Sequence, residues 1–281
     1  MTTTTSSDRP TTLVLGATGK TGRRVAARLA ERGWPVRHGS RSATPAFDWD
    51  SPATWPAALA GVDQLYVSYQ PDLAIPAALP AITRLTRHAR ELGVRRIVLL
   101  SGRGEPGAQA CEEVVLDCGI PATVVRASWF AQNFSEGHFL EPILAGTFPF
   151  PVDTVGEPFV DVDDIADVAA AALTTEDDRH VGQLYEVTGP RLLTFPEAVG
   201  EIAAAAGRPI AFVPVSPEAY RQELLDADVP PPFADFLVQL VTTVLDGRNA
   251  QVSDGVQRAL GRPARAFADF ARGGADVWAA G

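Results

Sequence analysis

The sequence predicts a doubly wound α/β fold, a parallel sheet with helices on both faces, extended by a small C-terminal lobe. Three observations carry this. Short apolar runs alternate with segments whose apolar residues recur at helical spacing, the pattern of β-α-β units joined by right-handed crossovers. One run, Arg96 to Ser101, is almost continuously apolar, as for a strand covered on both faces. The first run, Leu13 to Leu15, passes directly into Gly16-x-x-Gly19-x-x-Gly22 and then into a helix.

Each element follows from local pattern. The first strand lies near 12–15, and its helix near 20–32 carries Val25, Ala26, Leu29 and Ala30 on one face before Gly33. A second strand is expected at 35–39. Phe47 is expected to close a short third strand, with a short helix from Ala53 to Leu59. The fourth strand is Gln64 to Ser68. A helix follows with Ile75, Leu79, Ile82, Leu85, Ala89 and Leu92 on one face, ending at Gly93. After the fifth strand come a helix at 107–118, a sixth strand at Ala122 to Arg126, a helix from Asp163 to Leu173 and a strand at Leu184 to Val187. Thr194 to Glu197 reads as a capping box opening a helix that ends at Gly207. Ile210 to Val215 reads as a strand, and Ser216-Pro217 as an N-cap followed by a helix-opening proline. The stripe Phe233, Phe236, Leu237, Leu240, Val241, Val244 faces either a core or a second subunit. The expected organisation is a disordered N-terminus over 1–10, a nucleotide-binding domain over 11–134 and 158–190, and a substrate lobe over 135–157 and 191–281.

Composition narrows the function. A net charge of −10 disfavours nucleic acid, whose binding requires neutralised phosphates. No run approaches the roughly 18 apolar residues of a membrane span, and the first residues lack the features of a signal peptide. Cys111 and Cys118 on one predicted helix lie about 10 Å apart along its axis, too far for a disulfide. Free thiols suit a reducing cytoplasm. His38, His88, His138 and His180 show no metal-site spacing, so no metal is expected.

The strand–glycine–helix context is what a dinucleotide-binding (Rossmann) loop requires, with the pyrophosphate at a helix N-terminus. It nominates Gly16, Thr18, Gly19, Lys20, Thr21 and Gly22 as cofactor contacts. An NAD-selective chain places an acid after the second strand for the ribose 2′-hydroxyl. Here that strand ends His38-Gly39-Ser40-Arg41-Ser42. Arg41 suits a 2′-phosphate, Ser40 and Ser42 can add hydrogen bonds, and Arg37 or Lys20 can assist. The expected cofactor is therefore NADP(H), unless Arg41 is only a surface arginine.

Lys20 is the sole lysine in the chain, and it sits inside the glycine loop. Four residues after Tyr66, Tyr69, Tyr185 and Tyr220 stand Gln70, Leu73, Gly189 and Leu224. The tyrosine–lysine pair of ordinary short-chain dehydrogenases is absent. The opening Gly16-Ala-Thr-Gly19-Lys-Thr-Gly22 resembles the NmrA-like, atypical short-chain dehydrogenases. Within that group the chain is similar to the ergot-alkaloid reductase branch, festuclavine synthase and agroclavine dehydrogenase. Gly39-Ser-Arg-Ser42, Phe47-Asp-Trp49, Val98-Leu-Leu-Ser101, Arg126-Ala-Ser-Trp-Phe-Ala-Gln-Asn-Phe-Ser135, Asp164-Ile-Ala166, Gly189-Pro-Arg-Leu-Leu-Thr194 and Phe267-Ala-Asp-Phe-Ala271 carry that similarity. The chain departs from it at Ala127, where the family has proline, and at Gln132, where an acid is common. The resemblance implies NADPH-dependent reduction of an iminium ion. That chemistry fits the missing lysine, because hydride added to an iminium carbon leaves a neutral amine, whereas an alkoxide needs an acid. Quinones and enones are intermediate.

In open α/β sheets the site lies beyond the carboxyl ends of the strands. This nominates Tyr69, Ser101 and Asn133 as catalytic, with Tyr69, Ser101 and Gly102 also against the cofactor. Gln70, Pro71, Arg103, Trp129, Phe130 and Phe134 are nominated for substrate, the aromatic three either as a wall or as ordinary packing. Asp72 either faces a cationic acceptor or caps a helix, and Glu112 or Glu113 can reach the site. The expected activity is an NADPH-dependent oxidoreductase acting on a small aromatic or heterocyclic acceptor. The alternative is a non-catalytic NADP-binding redox sensor. A small molecule is the expected partner, and a homo-oligomer is compatible with the sequence.

Overall fold

The computed structural model describes residues 9–279, so most of the expected disordered N-terminus lies outside the described residues. The described chain divides into two compact bodies. The first takes the residues up to Ala127 together with Val162–Val187 and Asp254–Arg262. The second takes Ser128–Asp161, Thr188–Ser253 and the residues from Pro263 onward. The sequence assigns 191–281 to one lobe; the stretch Asp254–Arg262 instead belongs to the first body.

The first body holds a six-stranded parallel sheet: β1 (Thr12–Leu15), β2 (Val36–Gly39), β3 (Gln64–Val67), β4 (Arg96–Gly102), β5 (Ala122–Ala127) and β7 (Leu184–Val187), with β6 described below. The order across the sheet is β2-β1-β3-β4-β5-β7. Connections run from β1 to β2 on one side and on to β3 on the other, so the order reverses between β1 and β3. Such a switch point leaves a crevice at the carboxyl edge. Parallel pairing of Thr12 with both Val36 and Gln64, and of Gln64 with Arg96, brings the carboxyl ends of neighbouring strands to one edge.

Helix α1 (Lys20–Glu31) buries Val25, Ala26 and Leu29 and packs against α6 (Val162–Thr174). On the other face α2 (Trp55–Leu59), α3 (Ala78–Glu91) and α4 (Pro106–Leu116) enclose Leu13, Leu15, Leu65, Val67, Ile97 and Leu99. Arg28 and Arg262 tie α1 and the segment after α10 (Gly255–Leu260) to Asp163, Asp164 and Asp167 on α6. Both cysteines are free; Cys111 is buried in α4, and Cys118 lies past its end.

The expected third strand at Phe47 does not form. Residues 40–51 are irregular, and the Phe47 amide donates to the Ser40 carbonyl at 2.9 Å. Pro45 removes a ladder donor from this stretch, and the Phe47 ring is instead buried against Trp55 and Trp49.

The second body is organised around phenylalanines. It contains α5 (Leu140–Leu144), β6 (Thr147–Phe150), α7 (Phe195–Ala206), β8 (Ala211–Pro214), α8 (Pro217–Asp226), α9 (Pro231–Val244), α11 (Phe267–Gly273) and α12 (Ala275–Ala279). Phe134, Phe139, Phe148, Phe150, Phe159, Phe195 and Phe267 share one buried cluster. β6 and β8 form a small parallel sheet. β6 is unexpected from sequence because Pro149 stands inside it, tolerated at a sheet edge. The capping box at Thr194 and Glu197 is present, and Gly207 ends α7 in the left-handed region. Along α9, Leu237, Val241 and Val244 are buried, so the stripe largely serves this body's own core.

Candidate functional site

The loop between β1 and α1 is built by glycine. Gly16 has φ +71°, a conformation that strains other residues, and its amide donates to the Gly39 carbonyl at 3.1 Å. The Gly19 amide donates to the Gly16 carbonyl at 2.9 Å, closing the turn. A side chain on Gly22 would collide with the backbone of Gly16, so the first turn of α1 packs directly on the loop. Gly19 is different. Its φ is −79° and a methyl would meet only the Gly16 carbonyl, at 3.3 Å. Its backbone conformation does not require glycine, and close approach of a ligand is what remains to require it there. No side chain caps α1, and no acid stands in its first turn. Its N–H groups and partial positive charge are thus suited to a phosphate. Thr18 is exposed, Lys20 half-buried and Thr21 buried.

After β2, Ser40 and Ser42 hydroxyls lie 3.2 Å apart, while Arg41 is exposed and has no hydrogen-bond or ion-pair partner among the described residues. A guanidinium left unpaired in an acidic protein is what a 2′-phosphate contact needs. Arg37 does not share that role: its guanidinium donates to the Ala58 and Ala60 carbonyls at the end of α2. These residues fit NADP(H), with the loop and helix end for the pyrophosphate and Arg41 for the 2′-phosphate.

Tyr69 is half-buried with its ring 4.7 Å from that of Trp49. Burial, followed by Asp50 and the Cys111 thiol, raises its phenol. Burial also raises Tyr66, Tyr185 and Tyr220, so no tyrosine in the chain is held as a ready acid. Gln70 and Pro71 are exposed, and the Asp72 carboxylate accepts from the Ala74 amide at 2.8 Å.

Beyond β4 lies a charged network that sequence reasoning only touched. The buried Ser101 hydroxyl donates to Glu112 Oε1 at 2.5 Å. Arg126 Nε donates to the same oxygen at 2.9 Å, and its Nη2 to Glu112 Oε2. Arg126 also reaches Glu186, whose other oxygen lies 3.5 Å from Arg103 Nε. Arg103 is 4% exposed. Its expected substrate contact is corrected: the guanidinium is spent on an internal ion pair. The Ser101 hydroxyl proton is likewise engaged inside this network, on Glu112.

Gly102 has Glu105 above it; a side chain there would run into the Glu105 carboxyl. That carboxyl lies within hydrogen-bond reach of Asp72, and both groups are half-buried. Burial, then Asp72 and Glu112, push Glu105 up to about 8. The N-terminus of α4 opposes this by about 0.3–1 kcal/mol, less than one pH unit, so burial prevails. Glu105 escaped the sequence reading; its only signal is an acid before a helix-opening proline just past a strand.

Trp129, Phe130, Asn133 and Phe134 lie in the second body. Trp129 and Phe130 are half-buried, and Trp129 stacks on Phe139 with ring centroids 6.3 Å apart. Phe134 is 0% exposed and is enclosed by five phenylalanines. Its expected place in a substrate wall is corrected to core packing. Asn133 is half-buried in a 3₁₀ turn, Ala131–Phe134. Gln132 donates to Asp161 at 2.8 Å. Among the described residues no cluster of histidine, cysteine and acids could hold a metal, and no helix is long and apolar enough to cross a membrane.

No protein-family model matches the chain. It is 31% identical over 290 residues to the NAD(P)H azoreductase of Xenophilus azovorans, covering 95% of this chain and 99% of that one. It is 33% identical over 292 residues to the (4-alkanoyl-5-oxo-2,5-dihydrofuran-3-yl)methyl phosphate reductase of Streptomyces griseus, covering 95% and 99%. Against the festuclavine dehydrogenase of Aspergillus fumigatus it is 32% identical over 282 residues, covering 93% and 96%. The solved triphenylmethane reductase of a Citrobacter species, in complex with NADP(H), shares the fold with a TM-score of 0.75 at 22% identity, covering 95% of this chain and 99% of that one.

Proposed function

The chain belongs to the NmrA-like, atypical short-chain dehydrogenase/reductases, and from that premise we propose that it passes hydride from NADPH to a small aromatic or heterocyclic acceptor. An iminium ion is the first choice, a quinone or enone the second. As a family member it is an NAD(P)H-dependent oxidoreductase. The observation that carries the finer reading is the absent lysine: no tyrosine is paired with one, and all four phenols are raised.

Bound NADPH supplies the hydride. The residues of the chain bind and orient: the Gly16–Gly22 loop takes the pyrophosphate through backbone N–H groups, and Arg41 pairs with the 2′-phosphate. Tyr69, on the Trp49 ring at the end of β3, borders the acceptor with Gln70 and Pro71. Rate then comes from positioning rather than from a phenolic acid. The names of the azoreductase, the dihydrofuran reductase and the clavine enzyme support this, since each indicates a conjugated or nitrogen-containing substrate.

NADPH oxidation against cyclic iminium salts, quinones, enones and matched ketones tests the reading. Iminium salts should be reduced faster than ketones. Tyr69→Phe should lose less than about tenfold, below the 10²- to 10⁴-fold contribution of a general acid. A preference for plain ketones, or a thousand-fold loss in Tyr69→Phe, overturns it.

A further inference from the structure

Three loops leave neighbouring strands at one edge of the sheet. The glycine loop follows β1, Asp72 follows β3 and Glu105 follows β4. Ligands of open α/β sheets bind at this edge, and the glycine loop identifies which ligand arrives. The Asp72 and Glu105 carboxyls meet in the loops at this same edge. Asp72 is fixed by the Ala74 amide at 2.8 Å, and Gly107 is glycine because Ala74 lies against it, pinning this loop to the start of α4. Gly102 leaves the space above β4 that Glu105 fills.

We propose that Glu105, partnered by Asp72, is the proton donor for acceptors whose reduction leaves an anion, conjugated enones and quinones in particular. The proposal rests on the hydride-transfer reading above. Two carboxyls within hydrogen-bond reach cannot both ionise, so the pair keeps one proton. The charged and titratable groups facing Glu105 are Asp72, from the loop after β3, and Glu112, from α4. Glu112 is itself paired with Arg126, and neither facing group is a cation. The proton therefore stays on the pair at neutral pH, with Glu105 pushed up to about 8.

When the β-carbon of an enone accepts hydride, the carbon–carbon double bond opens and an enolate forms. The Glu105 O–H bond breaks, its proton goes to the enolate, and its electron pair stays on the carboxylate. A solvent proton then restores the pair through Asp72. Overall, one enone, one NADPH and one proton give one saturated ketone and one NADP+. An iminium acceptor takes hydride without calling on Glu105.

Glu105→Gln and Glu105→Asp are compared with the wild type. In infrared difference spectra of the free protein, one carboxylic acid band should titrate near pH 8 in the wild type and vanish in Glu105→Gln. Glu105→Gln should lose about 10²- to 10⁴-fold in enone reduction and less than about tenfold with a preformed iminium salt. Glu105→Asp should recover most of the loss, and NADPH should bind all three equally. Wild-type enone turnover should fall above about pH 8, and the Gln variant should lack that limb. The absence of a carboxyl titrating there, or enone turnover within tenfold of wild type in Glu105→Gln, overturns the proposal. So does an equal loss on both acceptors. A wild type inert towards every acceptor would instead overturn the hydride-transfer reading.

Discussion

The loop after β1 and the loops after β3 and β4 leave the same sheet edge but are built by opposite means. The first is made of backbone: Gly16 in the left-handed region, Gly19 bare, Gly22 packed on Gly16, and an uncapped helix end. It offers amides and a partial positive charge. The others are made of side chains: Asp72 against Glu105, and Ser101 on Glu112, itself held by Arg126, which also donates to Glu186. They offer carboxyls and a stored proton. A phosphate suits the one and is repelled by the other, so the edge is polarised before any ligand arrives.

Five substitutions or titrations press on that contrast, the most damaging first. Glu112→Ala should be the most damaging. Glu112 is 2% exposed, and removing one partner of a buried ion pair costs about 3–5 kcal/mol. Arg126 keeps Glu186, so the low end, about 3 kcal/mol, is expected in a denaturant titration. A loss below about 1 kcal/mol would show that solvent replaces the pair.

Arg41→Ala comes next. A hydrogen bond to a charged group is worth roughly 1.5–3 kcal/mol, so NADPH affinity should drop about 10- to 100-fold while NADH affinity barely moves. Equal losses for both cofactors would remove Arg41 from the 2′-phosphate.

The two glycines should then separate. Gly22→Ala forces a methyl into the Gly16 backbone and should cost about 1–3 kcal/mol of stability together with both cofactors. Gly19→Ala has an unstrained φ and only the Gly16 carbonyl at 3.3 Å to displace, so it should cost less stability than Gly22→Ala while weakening NADPH and NADH alike. Unaltered cofactor binding in Gly19→Ala would place the pyrophosphate elsewhere.

The last test is the pH dependence of stability. Glu105 holds its proton in the folded chain up to about 8, whereas an unfolded glutamate releases it near pH 4.3. The folded state binds the extra proton, so this contribution is complete below the unfolded value and is lost as pH rises to about 8. Asp72, also raised, acts with the same sign. From pH 5 to pH 8 the wild type should lose stability progressively relative to Glu105→Gln, read as a widening gap between their Tm values. A parallel pair of curves would show that the two carboxyls share no proton.

The same contrast explains what was legible in the sequence. The glycine loop occupies one short stretch, and every residue that builds it stands beside the next, so spacing alone revealed it. Arg41 was legible for the same reason, one step past a strand with no acid near it. The Asp72–Glu105 pair is assembled by the pairing of β3 with β4, and the Glu112–Arg126–Glu186 chain by α4, β5 and β7. Residues distant in sequence announce no such meeting. Arg103 and Phe134 were misread because strand-end position says where a residue starts and not which way its side chain is buried. The strand expected at Phe47 failed on Pro45 and on the pull of Trp49 and Trp55, and β6 was hidden by Pro149.

The two bodies each draw on three stretches of the chain, so the chain passes between them five times. This governs the order of synthesis. When Ala127 leaves the ribosome, five of the six strands of the large sheet exist, but β5 presents an open edge until Leu184–Val187 is made. An unpaired edge of Ala-Thr-Val-Val character is a template for another chain. The partner of α1 is α6, also made later, and α10, which packs on α6 and β7, comes later still. The first body is therefore finished only by residues from near the C-terminus. A truncation before Asp254, which looks on paper like trimming the second body, would strip the first of α10 and of the arginine that closes on Asp164.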